Sequence, residues 1–507
     1  MKKALLLFCS LLIAGCSVNR PLEDGADKYR VARQELFDTV FAQRPGQRIR
    51  LTEDEDRVAR RLAELKLEVY SRGGHEWPAR PIWEVKERLE STQLFAFLRA
   101  MPKGGLLHAH AGALGDMEWL ISALSERDDA YIFRGDSETV PRSALILSQD
   151  HPGTGWVSLA AERAGDPAAF DAEQYRELTL GADDAGLSVP WQEFSRKFGM
   201  IRGLYRDPEI MTGYMRDAFE FLLGEDHLLY AEIRAGLRPD FLKAIGRLRS
   251  ELRKTWPDFD LRIIINVSRY QAQGESKAEA RRRYKGLMRT TAELVRDEES
   301  LVVGFDLVAE EDGGLPTAFF VETLTELREE GFELPLYLHA GESSRPGALS
   351  PRDCEYAAKC NEPLNNNLFD AVLLGARRIG HGLALAELPA LTAEVRRRGI
   401  AVEVCPISNQ LLGYVPDLRN HPAVTLLNAG VPLALCSDDP GLFQYQGMSY
   451  DFWMATVAWN LELGDLKQLA RHSLLHSALP KREKARMVQV WERQWDRFIE
   501  QQATEGR

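Results

Sequence analysis

Cysteine is scarce, with 6 in 507 residues, and no two of them stand as C-x-x-C. That argues against a zinc site built from thiolates. A run of 18 or more apolar residues is also missing, so nothing beyond the N-terminus is long enough to span a membrane. Basic charge is in deficit: 64 Lys and Arg face 76 Asp and Glu, a net charge of −12. Phosphate backbones need a basic face, so nucleic acid is not expected as a partner. No internal repeat or low-complexity tract is visible. What remains is ordinary for a globular protein, 45% hydrophobic and 28% charged, in a chain long enough for two or three domains or one barrel with additions.

The first residues do not read as part of the fold. Lys2 and Lys3 form a basic start, residues 4–13 are apolar, and Leu12-Ile13-Ala14-Gly15-Cys16 closes the segment. This resembles a bacterial lipoprotein signal, in which small residues precede a lipidated cysteine. The resemblance implies removal of residues 1–15 and acyl chains on Cys16 that anchor a soluble body to a membrane surface. Ser17, a residue other than Asp after that cysteine, implies the outer membrane, facing the periplasm or the cell surface. The alternative is an ordinary secretory signal with a chance cysteine. Cys354 and Cys360 lie close together in a loop-like stretch and could pair in an oxidising periplasm. Cys405 and Cys436 sit in apolar runs and are expected as buried free thiols.

After a tether over residues 17–26, amphipathic helices are expected at 27–43, 52–71 and 82–100. The second opens on Thr52-Glu53-Asp54-Glu55, a capping box, with Val58, Leu62, Leu65 and Val69 at helical spacing. Residues 16–100 thus form the tether and a helical extension. Eight strand-like runs follow at 105–110, 228–234, 261–267, 301–307, 334–339, 376–380, 401–405 and 432–437. Helical patterns separate most of them, including 208–224, 277–297, 315–330, 368–374 and 388–398, with more helix over 450–502. Strand and helix alternating eight times predict an α/β fold, a (β/α)8 TIM barrel over residues 101–507. Between the first two strands lie more than a hundred residues. The part from 128 to 187 is rich in Gly, Pro, Asp and Ser and reads as a lobe, about 125–190, inserted over the barrel mouth.

Chemistry in such a barrel sits at the C-terminal ends of the strands. His108 and His110, Glu232 and Arg234, Asp306, His339, His381, Glu403 and Asp438 all fall near the ends of these runs. Two imidazoles in His108-Ala109-His110 share one face of a strand and can share a divalent metal. With His339 and Asp438 they make a nitrogen-rich set with one carboxylate, which suits zinc. A metal-activated water needs a base and an acid. His381 and Glu342 are the spare titratable groups, and Asp439 can hydrogen-bond a substrate or cap a helix.

Together these motifs resemble the adenosine deaminase superfamily. The segments concerned are Met101-Pro102-Lys103, His108-Ala109-His110, Gly304-Phe305-Asp306-Leu307, His339-Ala340-Gly341-Glu342, Arg378-Ile379-Gly380-His381-Gly382, Cys405-Pro406-Ile407-Ser408-Asn409-Gln410 and Ser437-Asp438-Asp439-Pro440. The stretches Asp417-Leu418-Arg419-Asn420-His421-Pro422 and Ser449-Tyr450-Asp451-Phe452 are most similar to the secreted adenosine deaminase growth factor branch. There the extension and insert serve dimerisation and surface binding, so a homodimer is implied. The resemblance implies one Zn2+ per chain on His108, His110, His339 and Asp438. It implies Glu342 as the acid at purine N1, His381 as the base toward water, Asp439 at purine N7, and adenosine or 2′-deoxyadenosine as substrate. Deaminases that use H-x-E with P-C-x-x-C are a different class, and neither motif is present. Two departures leave the exact substrate open. Ala111-Gly112-Ala113 stands where the family carries an Asp that contacts ribose, and Ala309 stands where a Gly approaches purine N3. Trp191 could stack on a sugar or base, or belong to the core. Two other readings stay open: a deaminase of another amino-heterocycle, and a nucleoside-binding lipoprotein without turnover.

Overall fold

A computed structural model describes residues 25–135, 144–184, 190–204, 207–296, 300–343 and 366–505. The signal segment, Cys16, and the pair Cys354 and Cys360 lie outside the described residues. Eight parallel strands form the centre: β1 (Gly104–Leu106), β2 (Leu228–Ala235), β3 (Asp260–Ser268), β4 (Val302–Val308), β5 (Tyr337–Ala340), β6 (Arg378–His381), β7 (Ala401–Val404) and β8 (Leu433–Leu435). They pair in sequence order as two four-stranded runs, β1 to β4 and β5 to β8. Parallel bridges close the ring, Phe305 to Leu336 between β4 and β5, and Ala109 to Asp438 between β8 and β1. The result is the expected (β/α)8 barrel, and its last closure joins two of the chemically interesting segments directly.

The helical extension packs on the outside of this barrel. Helix Glu53–Ser71 starts on the expected capping box: the Thr52 side chain accepts from Glu55 N–H, and the Glu55 carboxylate accepts from Thr52 N–H. Its apolar stripe, Val58, Leu62, Leu65 and Val69, is buried. Glu55 also accepts from Trp495 Nε1 at 2.8 Å, tying the helix to the C-terminal helix Lys481–Glu505. A buried Arg44–Asp465 pair, at 2.6 and 2.8 Å, fixes the preceding segment to helix Leu463–Leu475. The helix expected over 82–100 is two, Ile82–Glu90 and Gln93–Ala100. Thr92 breaks it, because its hydroxyl caps the second helix by accepting from Phe95 N–H at 3.1 Å.

The inserted lobe holds structure that its composition does not announce. Strand Ala130–Phe133 pairs antiparallel with Leu145–Leu147 on one side and Trp156–Ser158 on the other. Helices Leu159–Arg163 and Pro167–Leu178 follow. The lobe reaches the barrel mouth: Leu180 N–H donates to Leu442 O at 2.8 Å, and Phe194 stacks on Phe443. Both contacts fall on the turn Pro440–Phe443 that follows Asp439. Cys405 and Cys436 are buried and free, as expected. No helix among the described residues is long and apolar enough to cross a membrane.

Candidate active site

Four imidazoles converge at the C-terminal end of the barrel. The ring centroids of His108 and His339 are 4.5 Å apart, those of His108 and His381 4.7 Å, and those of His339 and His381 5.0 Å. Asp438 Oδ1 lies 3.3 Å from His108 Nε2 and 3.3 Å from His110 Nε2. Potential ligand atoms of His108, His339 and His381 lie within 4.8 Å of one another, as do those of His110, Asp438 and Asp439. The close fit depends on Gly380, where a Cβ would come within 3.0 Å of His108 Cε1. His381 and Asp438 both hold left-handed backbone, φ near 60°, a conformation costing non-glycine residues about 1–2 kcal/mol.

Behind the histidines stands a layer of buried charge. His108 Nδ1 lies 2.8 Å from Glu403 Oε2 and His339 Nδ1 lies 2.7 Å from Asp306 Oδ2. Arg234 bridges the two carboxylates, at 2.7 Å to Asp306 and 2.6 Å to Glu403. With Nδ1 of each ring engaged, Nε2 is left for the centre. Glu232, expected at the mouth, sits lower. It pairs with Arg378, the first residue of β6, and accepts from Ala478 N–H. β2 is buried along its whole length, so its sequence pattern marks no end.

The acid–base groups form a second cluster. His381 Nδ1 lies 3.2 Å from Glu342 Oε1 and 3.1 Å from Asn409 Nδ2, while His381 Nε2 faces Asp438 Oδ2 at 3.8 Å. Asn409 Nδ2 donates to Glu342 Oε1 at 3.0 Å, and Asn409 Oδ1 lies 3.2 Å from His421 Nε2. Glu311 grips the backbone that carries Glu342: its oxygens accept from Gly341 N–H at 3.0 Å, Glu342 N–H at 2.8 Å and the Asn367 amide at 2.7 Å. Ser408 donates to Asp438 Oδ2 at 2.7 Å. The roles of Ser408, Asn409 and Glu311 went unread in the sequence. Ser408 and Asn409 lie on the short buried helix Pro406–Leu411 that follows β7, and polar residues after an apolar strand are the signal for them; Glu311 looks like its acidic neighbours Glu310 and Asp312.

Electrostatics divide the labour. Burial, then Asp438 and Glu311, pushes the Glu342 carboxyl well above its usual range, which favours a neutral acid. Burial drives His381 well below 6.5 and His339 down to about 4, so both stay neutral. At His108 burial and Arg234 oppose a charge, yet Asp438 and Glu403 outweigh them and raise it to about 9. The carboxylates call for positive charge at this point. His108 Nε2 and Asp438 Oδ1 are buried and hydrogen-bonded to nothing among the described residues. Orphaned buried polar atoms are costly, and a divalent cation on this nitrogen-rich donor set would satisfy both. The residues therefore fit zinc.

The remaining expected site residues lie around this centre. Asp439 is buried beside Asp438, and burial with that neighbour pushes its carboxyl up. Ala309 has φ of +80°, half-buried after the end of β4. Trp191 is on helix Pro190–Met200, meets Phe194 edge-on at 5.3 Å and donates its indole N–H to Tyr414.

The adenosine deaminase family model matches residues 363–492. Adenosine deaminase 2-A of Danio rerio is 31% identical over 496 residues, 92% of this chain and 93% of the relative. Adenosine deaminase 2 of Sus scrofa is 32% identical over 489 residues, 90% of each chain. The fold is that of an Arabidopsis N6-mAMP deaminase (TM-score 0.54, 19% identity, 78% of this chain and 99% of that one) and an adenine deaminase from Arthrobacter aurescens (TM-score 0.52, 18% identity, 78% and 99%). With curated relatives matched over nearly their whole length, the chain belongs to the adenosine deaminase family, within its growth-factor-like branch.

Proposed function

We propose that the chain is a zinc-dependent aminohydrolase that converts adenosine, and 2′-deoxyadenosine, to the inosine product and ammonia outside the cytoplasm. The observation that carries this reading is the adjacency of two clusters: the orphaned donors of His108 and Asp438, and the Glu342–His381–Asn409 group beside them. Relatives named adenosine deaminase 2 support the substrate, and an amidohydrolase of the same fold was solved with bound Zn.

In this reading His108, His110, His339 and Asp438 hold one zinc per chain. Bound there, the metal supplies a polarised water whose pKa falls toward ~7. His381, neutral through burial, would serve as the base, able to take up a proton at Nε2. Glu342, protonated through burial and its acidic neighbours, gives its proton to purine N1 and so makes C6 electrophilic. Asp439, its carboxyl also pushed up, donates to purine N7. Trp191, with Tyr414, would border the sugar. Water adds at C6, one of its protons passing through His381 to the amino group, the C6–N bond breaks with loss of ammonia, and the proton left on the C6 oxygen returns to Glu342. Residues 1–15 serve as the lipoprotein signal, Cys16 as the outer-membrane anchor, and residues 16–100 as tether and extension of a homodimer.

The test is ammonia release with the adenine-to-hypoxanthine ultraviolet change, on zinc-loaded protein given adenosine. Turnover supports the reading. Binding of adenosine without ammonia release would favour a nucleoside-binding protein. The left-handed backbone at Ala309 and the missing Asp at 111–113 favour a second reading, in which the amino-purine differs from adenosine.

A further inference from the structure

A cavity of about 330 Å³ opens beside His110 and Ala111, at the C-terminal ends of β2 and β3. Phe198, Met211 and Phe241 make it partly apolar. Among the described residues no carboxylate lines it, whereas Arg202, Arg234 and Arg238 all do. The charged side chains of this described lining are thus of one sign, in a chain whose net charge is −12. Arg234 is committed to Asp306 and Glu403. Arg202 is exposed, and among the described residues its guanidinium meets no carboxylate. Arg238 is the N-cap of helix Pro239–Thr255, which has no side-chain cap, and Phe241 in its first turn faces the same space. An uncapped helix start adds partial positive charge. The acid of that turn, Asp240, is exposed and does not line the cavity.

Resting on the deaminase reading above, we propose that this cavity is an anion subsite and that the preferred substrate is a 6-aminopurine nucleoside 5′-monophosphate, with Arg202 and Arg238 on its phosphate. Phosphate is the anion that guanidinium forks match in geometry as well as charge. The departure at Ala111-Gly112-Ala113 belongs to the same design. A carboxylate there would contact a ribose hydroxyl but repel a phosphate carried on that ribose, and its absence opens the cavity to one. The apolar wall accepts the sugar edge, and the exposed position of Arg202 places it on the solvent side, away from the buried histidines.

The experiment is a comparison of kcat/KM for AMP and adenosine on the zinc-loaded full chain, read by ammonia release at low and raised salt. AMP is expected to be used with a kcat/KM no lower than that of adenosine, and to lose more of it as salt rises. The double variant Arg202→Gln/Arg238→Gln is expected to lower the AMP-to-adenosine ratio about tenfold or more, as loss of charge-assisted hydrogen bonds implies. Because the ratio is internally controlled, a general loss of fold does not imitate this result. Turnover of adenosine without AMP, or a ratio unmoved in the double variant, overturns the subsite and leaves the deaminase standing. Turnover of neither overturns both.

Discussion

Asp306 and His339 are joined twice: Asp306 Oδ2 lies 2.7 Å from the His339 ring nitrogen Nδ1, and Asp306 Oδ1 accepts from the His339 backbone N–H at 2.9 Å. β4 thereby fixes both the position of the His339 backbone and the direction of its Nε2, as the proposed ligand role needs. Such outer partners typically set metal affinity by about 10–100-fold. Asp306→Asn is expected to weaken zinc binding by about that factor, measured by competition with a chromophoric chelator. An unchanged affinity in a folded variant would show that Asp306 only balances Arg234.

Glu311 holds the backbone of Glu342, the proposed acid. Replacing one of its two oxygens by an amide, Glu311→Gln, removes an acceptor from either Gly341 N–H or Glu342 N–H. Leaving a buried donor unpaired costs about 1–3 kcal/mol. The predicted outcome is a kcat lowered by about 10–100-fold at unchanged zinc content. A loss of zinc in step with activity would contradict a role confined to Glu342.

Ala309 takes a backbone conformation that suits glycine, with φ of +80°. Ala309→Gly removes a penalty of about 1 kcal/mol and adds a similar entropy to the unfolded chain. Stability should therefore move by less than about 1 kcal/mol. A β-branched Ala309→Val is strongly disfavoured at such a φ and should cost more. Thermal melts of both variants test the order, and a more stable Val variant would contradict it.

Acid sensitivity has a source remote from the candidate metal site. Burial, with Arg471, lowers His472 to about 4, and burial, with His472, lowers His476 to about 3. Unfolded imidazoles titrate near ~6.5. Between that value and the folded ones the unfolded chain binds more protons. The contribution of this pair is therefore complete above pH ~6.5 and is lost as pH falls through about 4 for His472 and about 3 for His476. Each imidazole adds up to about 1.4 kcal/mol per pH unit. Urea unfolding at several pH values should give a shallower acid slope for His472→Gln/His476→Gln than for the parent; equal slopes would contradict the assignment.

The barrel was legible because its strands are short aliphatic runs, several of them ending near a His or Asp, with helical patterns between most of them. Depth within the barrel was not legible. Glu232 and Arg234 are two residues apart on one strand, yet one pairs with Arg378 low in the barrel and the other with Asp306 beneath the histidines. The lobe's sheet was not legible because its strands, three or four residues long, lie in a stretch rich in Gly, Pro, Asp and Ser, with no helical patterns alternating between them. The ligand candidates could be read because metal chemistry restricts residue type. Asn409 and Glu311 could not, since their roles depend on neighbours brought together only by the closed barrel.

One variant decides whether Glu342 is the proton donor of a zinc aminohydrolase. Glu342→Gln should bind zinc as the parent does and lose adenosine turnover by about 10²–10⁴-fold, the span of general acid catalysis. Full turnover in that variant, with zinc in place, would contradict the account.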